Sequence, residues 1–412
     1  MRNFSILFFF FVTAYSFSQF KAPVVKPPYY IKTARIDNFE RPYYTNIINL
    51  NKSFSLSFDD LHADEKNYYY KIIRYDENWN ESSIQTSEYI EGFDSDIITG
   101  MQQSTATLQS YMHYEIKFPN ENTAFLLSGN YIIEILDEDD NVVFSKAFIL
   151  YDKKLEAGIR IRWPENVGLQ NSKQQVDFFL YPGSLNLQNP SENLKIVLIQ
   201  NYDWGRPKIF HAPAYYQANK WIYHYPSYSV FDGINEFRRF ETKDLRGMNY
   251  NIVKKEKNGN LYDFYIFPDE KRTRYTYYED ADGNFYIQSL QAGENISTEA
   301  DYVYVHFSYA GIPEKNEKIY VCGKFNDFNP PKDDFLKYNP ETGYYETSLL
   351  LKQGYYEYWY LSRKNGIKSF VPIEGDFSET ENLYELVIYY KAPGKRYTEV
   401  IGYARADSRN IN

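Results

Sequence analysis

Apolar and polar positions alternate with a period of two through most of this chain. At 53–58, Phe54, Leu56 and Phe58 fall on one face and Ser53, Ser55 and Ser57 on the other, the pattern of a half-buried strand. Asp59 and Asp60 are expected to stop that strand. The polar run 62–67 turns the chain into a second, aromatic strand over 68–75, followed by a polar turn that carries a single Trp79. Alternation returns at 111–118, with Met112, Tyr114, Ile116 and Phe118 on one face, and ends at Pro119. Ser128, Gly129 and Asn130 open a hairpin with arms at 131–136 and 142–150 and a charged tip from Asp137 to Asn141. Farther on, 159–163 and 176–180 alternate, and 194–199, apolar but for Lys195, is a strand of the buried kind. A strand at 301–307, another at 319–322 entering a turn at 323–328, a hairpin at 344–361 and an apolar strand at 383–390 complete the pattern.

Short strands with turn signals between them predict an all-β chain of sandwiches. Composition supports this, since 44 Tyr and 30 Phe in 412 residues favour strands. At roughly 100–200 residues per domain, three tandem Ig-like β-sandwich units are expected, at 19–152, 153–271 and 272–412. Residues 1–18 read as a cleaved secretory signal peptide. Arg2 precedes an apolar core at 6–12, and Ser16 and Ser18 frame a small-x-small site. The apolar run falls short of the roughly 20 residues that span a bilayer, so the mature protein is expected to be exported without a membrane span.

The single Cys322 sits in a strand-like run and reads as a buried structural thiol. A net charge of −10 argues against nucleic acid. His62, His113, His211, His224 and His306 show no metal-ligand spacing, so no metal is expected. The acidic run Asp137 to Asp140 lacks the glycine of a calcium loop and fits a hairpin tip. Asp59 and Asp60, as strand neighbours, point to opposite faces and cannot act as a glycosidase pair. With no nucleophile elbow and no phosphate loop, the chain offers no catalytic residues and calls for no cofactor. Two binding candidates remain. Phe237, Arg238, Arg239, Phe240 and Arg246 combine the aromatic and arginine anchors of a protein interface. Phe328 and Trp359 could form an aromatic platform for a sugar.

Five stretches carry a specific likeness: LSFDDL at 56–61, YYYKIIRYDENW at 68–79, EYIEGF at 88–93, YMHYEIKFPNE at 111–121 and SGNYIIEILDEDD at 128–140. They follow one another as in the first domain of the type IX secretion system plug protein family of Bacteroidota, which the chain resembles. EFRRF at 236–240, GDFSETENLY at 375–384 and IGY at 401–403 extend the resemblance. The order of strands from 319 to 361 also resembles early-set, glycogen-binding modules, although Phe328 stands where those modules usually carry Trp. The plug resemblance implies a periplasmic protein at the inner face of the outer membrane. There it would bind the SprA-type β-barrel translocon, with its associated type IX components, and close the periplasmic opening without a cofactor. The alternative is an exported glycan-binding β-sandwich protein.

Overall fold

The computed structural model describes residues 22–38, 45–409 and 411, so the expected signal peptide at 1–18 lies outside the described residues. Among the described residues no helix is long and apolar enough to cross a membrane. The all-β sandwich expectation holds. In the first unit, one sheet runs in the order Ile31–Asn38, Phe54–Asp60, Met112–Phe118, Met101–Gln103. The facing sheet runs Ile47–Asn49, Val142–Tyr151, Gly129–Leu136, Tyr69–Tyr75, Ser95–Ile97. Phe54, Leu56 and Phe58 point inward as their spacing requires, onto Tyr70, Ile72, Ile133, Ile135 and Phe148 from the facing sheet.

The strand Phe54–Asp60 differs from expectation in one respect. It is buried on both faces, and Asp59 and Asp60 lie inside it rather than ending it. The serine face is not solvated, because a third sandwich covers that side of the sheet.

The second and third units are not in tandem. The second pairs Glu156–Arg162, Lys173–Tyr181, Lys220–Tyr223 and Tyr215–Gln217 in one sheet. Its other sheet runs Lys208–Phe210, Leu194–Gln200, Leu383–Tyr390, Glu399–Asp407. The last two strands therefore belong to the second unit and not, as the division at 271/272 implied, to the last. The physical reason lies in their composition. Leu383–Tyr390 is apolar on both faces and pairs along its whole length with Leu194–Gln200, the other doubly apolar run. Each of these strands needs a neighbour that is also covered on both sides. The third unit is inserted between Val230–Asp232 and Leu383–Tyr390. One of its sheets centres on Gly354–Lys364, flanked by Arg238–Glu241, Phe285–Ile287, Glu317–Cys322 and Ile367–Ser369. The other runs Ile252–Asn258, Leu261–Ile266, Tyr302–Tyr309, Tyr345–Lys352, Lys337–Tyr338. The chain thus crosses between these units twice, at 233–237 and at 376–382.

Every pair of units is in contact. The first and second meet along an apolar seam in which Ile132, Ile149 and Trp79 pack on Val197, Ile199, Val387 and Tyr389. Trp79, alone in its polar turn, is there because the turn faces the second unit. A second seam, built from Tyr202, Ile234, Phe237, Phe328, Trp359 and Leu383, joins the second unit to the third.

Candidate functional site

The interface candidates at 237–246 divide sharply. Phe237 is buried and stacks on Trp359 with ring centroids 3.6 Å apart and 12° between planes. Phe240 lies in the core of the third unit, against Phe307, Tyr356 and Tyr358. Arg238 is buried between them. Its Nε donates to both oxygens of Glu374 at 3.1 and 3.0 Å, and its terminal nitrogens donate to Asp269 Oδ1 at 2.5 Å and the Glu270 carbonyl at 2.7 Å. Burial works against the guanidinium charge, yet Glu374 and Asp269 outweigh it and hold its pKa well above the ordinary value. These three residues are interior, so they offer no surface to a partner. Arg239 is half-buried between the rings of Tyr250 and Tyr278, each about 5.0 Å away. Arg246 is exposed on the following loop. Only Arg239 and Arg246 of the five can meet another protein.

The sugar platform is corrected as well. Phe328 is 6% and Trp359 1% exposed. The Trp359 indole N–H donates to the Glu236 carbonyl at 3.3 Å, and Phe328 packs near Phe237 at 6.1 Å. Aromatic faces spent on the seam between two units cannot receive a sugar ring. The expected platform is an internal joint.

The joint between the first and third units is polar and lies where the sequence showed only a pair of aspartates. Asp59 and Asp60 do point to opposite faces. Asp60 turns into the first unit, accepting from Tyr68 Oη at 2.9 Å and Lys66 Nζ at 2.8 Å. Asp59 faces the third unit. Its Oδ2 accepts from Lys352 Nζ and Tyr302 Oη, both at 2.6 Å, and its Oδ1 lies 2.6 Å from His113 Nδ1. Both members of the ion pair are at most 2% exposed. Burial disfavours the Asp59 charge, but Lys352 and His113 outweigh it and hold the carboxyl below its usual range. Lys352 also lies 4.1 Å from the Tyr111 ring centroid and donates to the Ser297 carbonyl. Nearby, Asp301 accepts the backbone N–H groups of Leu108 and Gln109, and Thr105 N–H donates to the Thr298 carbonyl.

The remaining titratable groups sit in local networks. The Asp137 carboxylate accepts N–H groups of Asp139 and Asn141 at 3.0 and 2.9 Å, as a hairpin tip requires. Cys322 is fully buried, and burial pushes its thiol well up. His306 makes a relay that sequence spacing could not show. Ser348 Oγ is 2.7 Å from its Nδ1, and Asp263 Oδ1 is 2.8 Å from its Nε2. They lie on three adjacent strands of one sheet, His306 directly opposite Ser348 and Asp263 diagonal to His306, with Asp263 buried and Ser348 exposed. Such an open face has no walls to hold a substrate against the hydroxyl, and the relay ties three strands together. Where the three units meet, a cleft of about 460 Å³ is lined by Tyr151, Lys153, Asp282, Glu381, Arg405 and Arg409 among others. Its charges are mixed. Arg405 is 3.2 Å from Asp282, and Arg409 is 3.1 Å from Glu381.

Comparison with known proteins agrees with this architecture. A crystal structure of a hypothetical protein from Parabacteroides merdae ATCC 43184 superimposes with a TM-score of 0.89 at 27% identity, covering 93% of this chain and 98% of that one. Among curated proteins no sequence matches. The family profile described as "Type 9 secretion system plug protein 1st domain" matches residues 31–152, which is the whole of the first sandwich. The chain therefore carries the first domain of the type IX secretion system plug protein family.

Proposed function

We propose that this protein is a periplasmic plug that docks on the periplasmic mouth of an SprA-type outer-membrane β-barrel translocon and closes it when no cargo fills the lumen. The observation that carries the reading is the plug-family first domain at 31–152. The way the units are joined supports it. A steric stopper must resist deformation, and three sandwiches that each touch the other two, one of them threaded into another, form such a body. The apolar residues of the seams are spent internally and are not offered to the barrel. Arg239 and Arg246 are candidates for that contact, since arginine is enriched among interface anchors. The reading requires no chemistry of the protein itself. In a strain lacking it, the unplugged pore should admit a small antibiotic that the intact envelope excludes. Unchanged sensitivity would count against the plug role.

A further inference from the structure

The outgoing crossing from the second unit to the third carries Glu236, which is fully buried. Its Oε1 accepts from Tyr275 Oη at 2.6 Å and from the Glu381 N–H, on the returning crossing, at 3.1 Å. Its Oε2 is buried and receives no donor N–H or O–H. The neighbouring side chain that acts on the Glu236 carboxyl is another carboxyl, that of Asp280. Asp280 in turn accepts the N–H groups of Phe237 and Asp282 at 2.9 and 3.0 Å. Two carboxylate oxygens cannot bond unless a proton lies between them. A third buried carboxyl, Glu357, holds the same loop through the N–H groups of Ala281 and Gly283, at 2.7 and 2.8 Å, and the Tyr355 hydroxyl. None of the three carboxyls accepts from a lysine or arginine side chain among these contacts.

We propose that Glu236 and Asp280 share one proton, and that this proton clasps the two crossings to the loop 279–284, making the joint between the second and third units sensitive to pH. The proposal stands independently of the plug reading. As pH rises the shared proton leaves to solvent, two like charges face each other across the pair, and the crossings loosen.

The surrounding charges favour retention of protons. The cation nearest the pair is Arg272, which donates to the Glu236 carbonyl rather than its carboxylate and to Tyr278. Tyr275 and Tyr278 are neutral donors, and Glu379 adds a negative charge beside Tyr275. On the other side of the loop, Asp282 and Glu381 face Arg405, Arg409, Asp407 and Glu385. Arg239 reaches the Glu279 carbonyl and the Tyr250, Tyr278 and Tyr355 side chains. Burial first, and neighbouring acids second, raise Asp280 well above its ordinary value and push Glu381 up to about 7 and Asp282 to about 6. Burial also raises Glu236, and pushes Glu357 up to about 7 with Asp282 adding to it. Groups raised in the folded state stabilise it fully below their ordinary carboxylate values and lose that contribution as pH rises through the folded ones. The joint is therefore tight in mild acid and loosens toward alkaline pH.

Hydrogen exchange of the full chain tests this, with exchange times corrected for intrinsic rates. Protection of 233–238 and 376–382 should fall roughly tenfold between about pH 6 and about pH 8.5, while Leu194–Gln200 stays protected. Glu236→Gln places a permanent N–H donor opposite Asp280 and should make the fall clearly smaller, the remainder coming from Glu357 and Glu381. Infrared spectra should show a protonated carboxylic acid at neutral pH in the wild type, weakened in Glu236→Gln. Protection that does not change with pH, an equal fall in Glu236→Gln, or no protonated carboxyl at neutral pH would each overturn the proposal.

Discussion

The ion pair between Asp59 and Lys352 is a demanding contact, because it buries two charges between units. At the observed 2.6 Å, the gross attraction in an effective dielectric near 20 is about 6 kcal/mol. Desolvation of two ions costs several kcal/mol each, so the net worth of the intact pair is small. Removing one partner is another matter. Lys352→Met leaves the Asp59 carboxylate enclosed, still served by Tyr302 and His113. Breaking a buried pair typically costs about 3–5 kcal/mol, and the two surviving partners place this variant near 3 kcal/mol. Asp59→Asn combined with Lys352→Met removes both charges and should cost about 1–2 kcal/mol less than the sum of the single variants.

The pH dependence has a definite sign. In the wild type the Asp59 carboxyl is held below its usual range, so its contribution is present above that range and lost in acid. Without Lys352 burial raises the carboxyl instead, so the deficit of Lys352→Met should shrink as pH falls. Denaturant unfolding of the three variants near neutral pH and near pH 5 provides the numbers. A deficit under about 0.5 kcal/mol for Lys352→Met, or additivity in the double variant, would refute the reasoning.

Three further outcomes are expected. Trp359→Ala empties the seam between the second and third units and should cost about 3–5 kcal/mol in denaturant unfolding, whereas a neutral result would mean that the stacked Phe237–Trp359 pair is not structural. A fragment of residues 153–271 lacks the strands Leu383–Tyr390 and Glu399–Asp407 and should show no cooperative unfolding by circular dichroism, whereas a cooperative transition would restore the tandem division. Arg246→Ala, on an exposed loop, should stay within about 0.5 kcal/mol of wild type in stability, and any loss of translocon binding it causes would then report the contact itself.

Elements were legible in the sequence wherever one face of a strand is buried in its own unit. Phe54, Leu56 and Phe58, and the hairpin arms around Asp137, lie as their alternation required. The order of strands carried the family likeness because it preserves those elements. The joints were not legible. Asp59 meets Lys352 across 293 positions, and an aspartate ending an alternating run looks like any strand terminator until that lysine is brought to it. The segment 236–240 looked like surface because it holds two arginines, yet Arg238 is neutralised by Glu374, 136 positions away. Trp359 was ambiguous between platform and packing, and the stacked Phe237 decides it. One signal was available: Leu383–Tyr390 is apolar at too many positions for the edge of a last unit, and its match in kind to the run at 194–199 pointed to pairing across the insertion.

Single-channel conductance of the purified barrel translocon in a planar bilayer tests the central claim most directly. Adding this protein to the periplasmic side should close an open lumen, and washing it out should reopen it. Conductance that is unchanged at saturating protein would contradict the account.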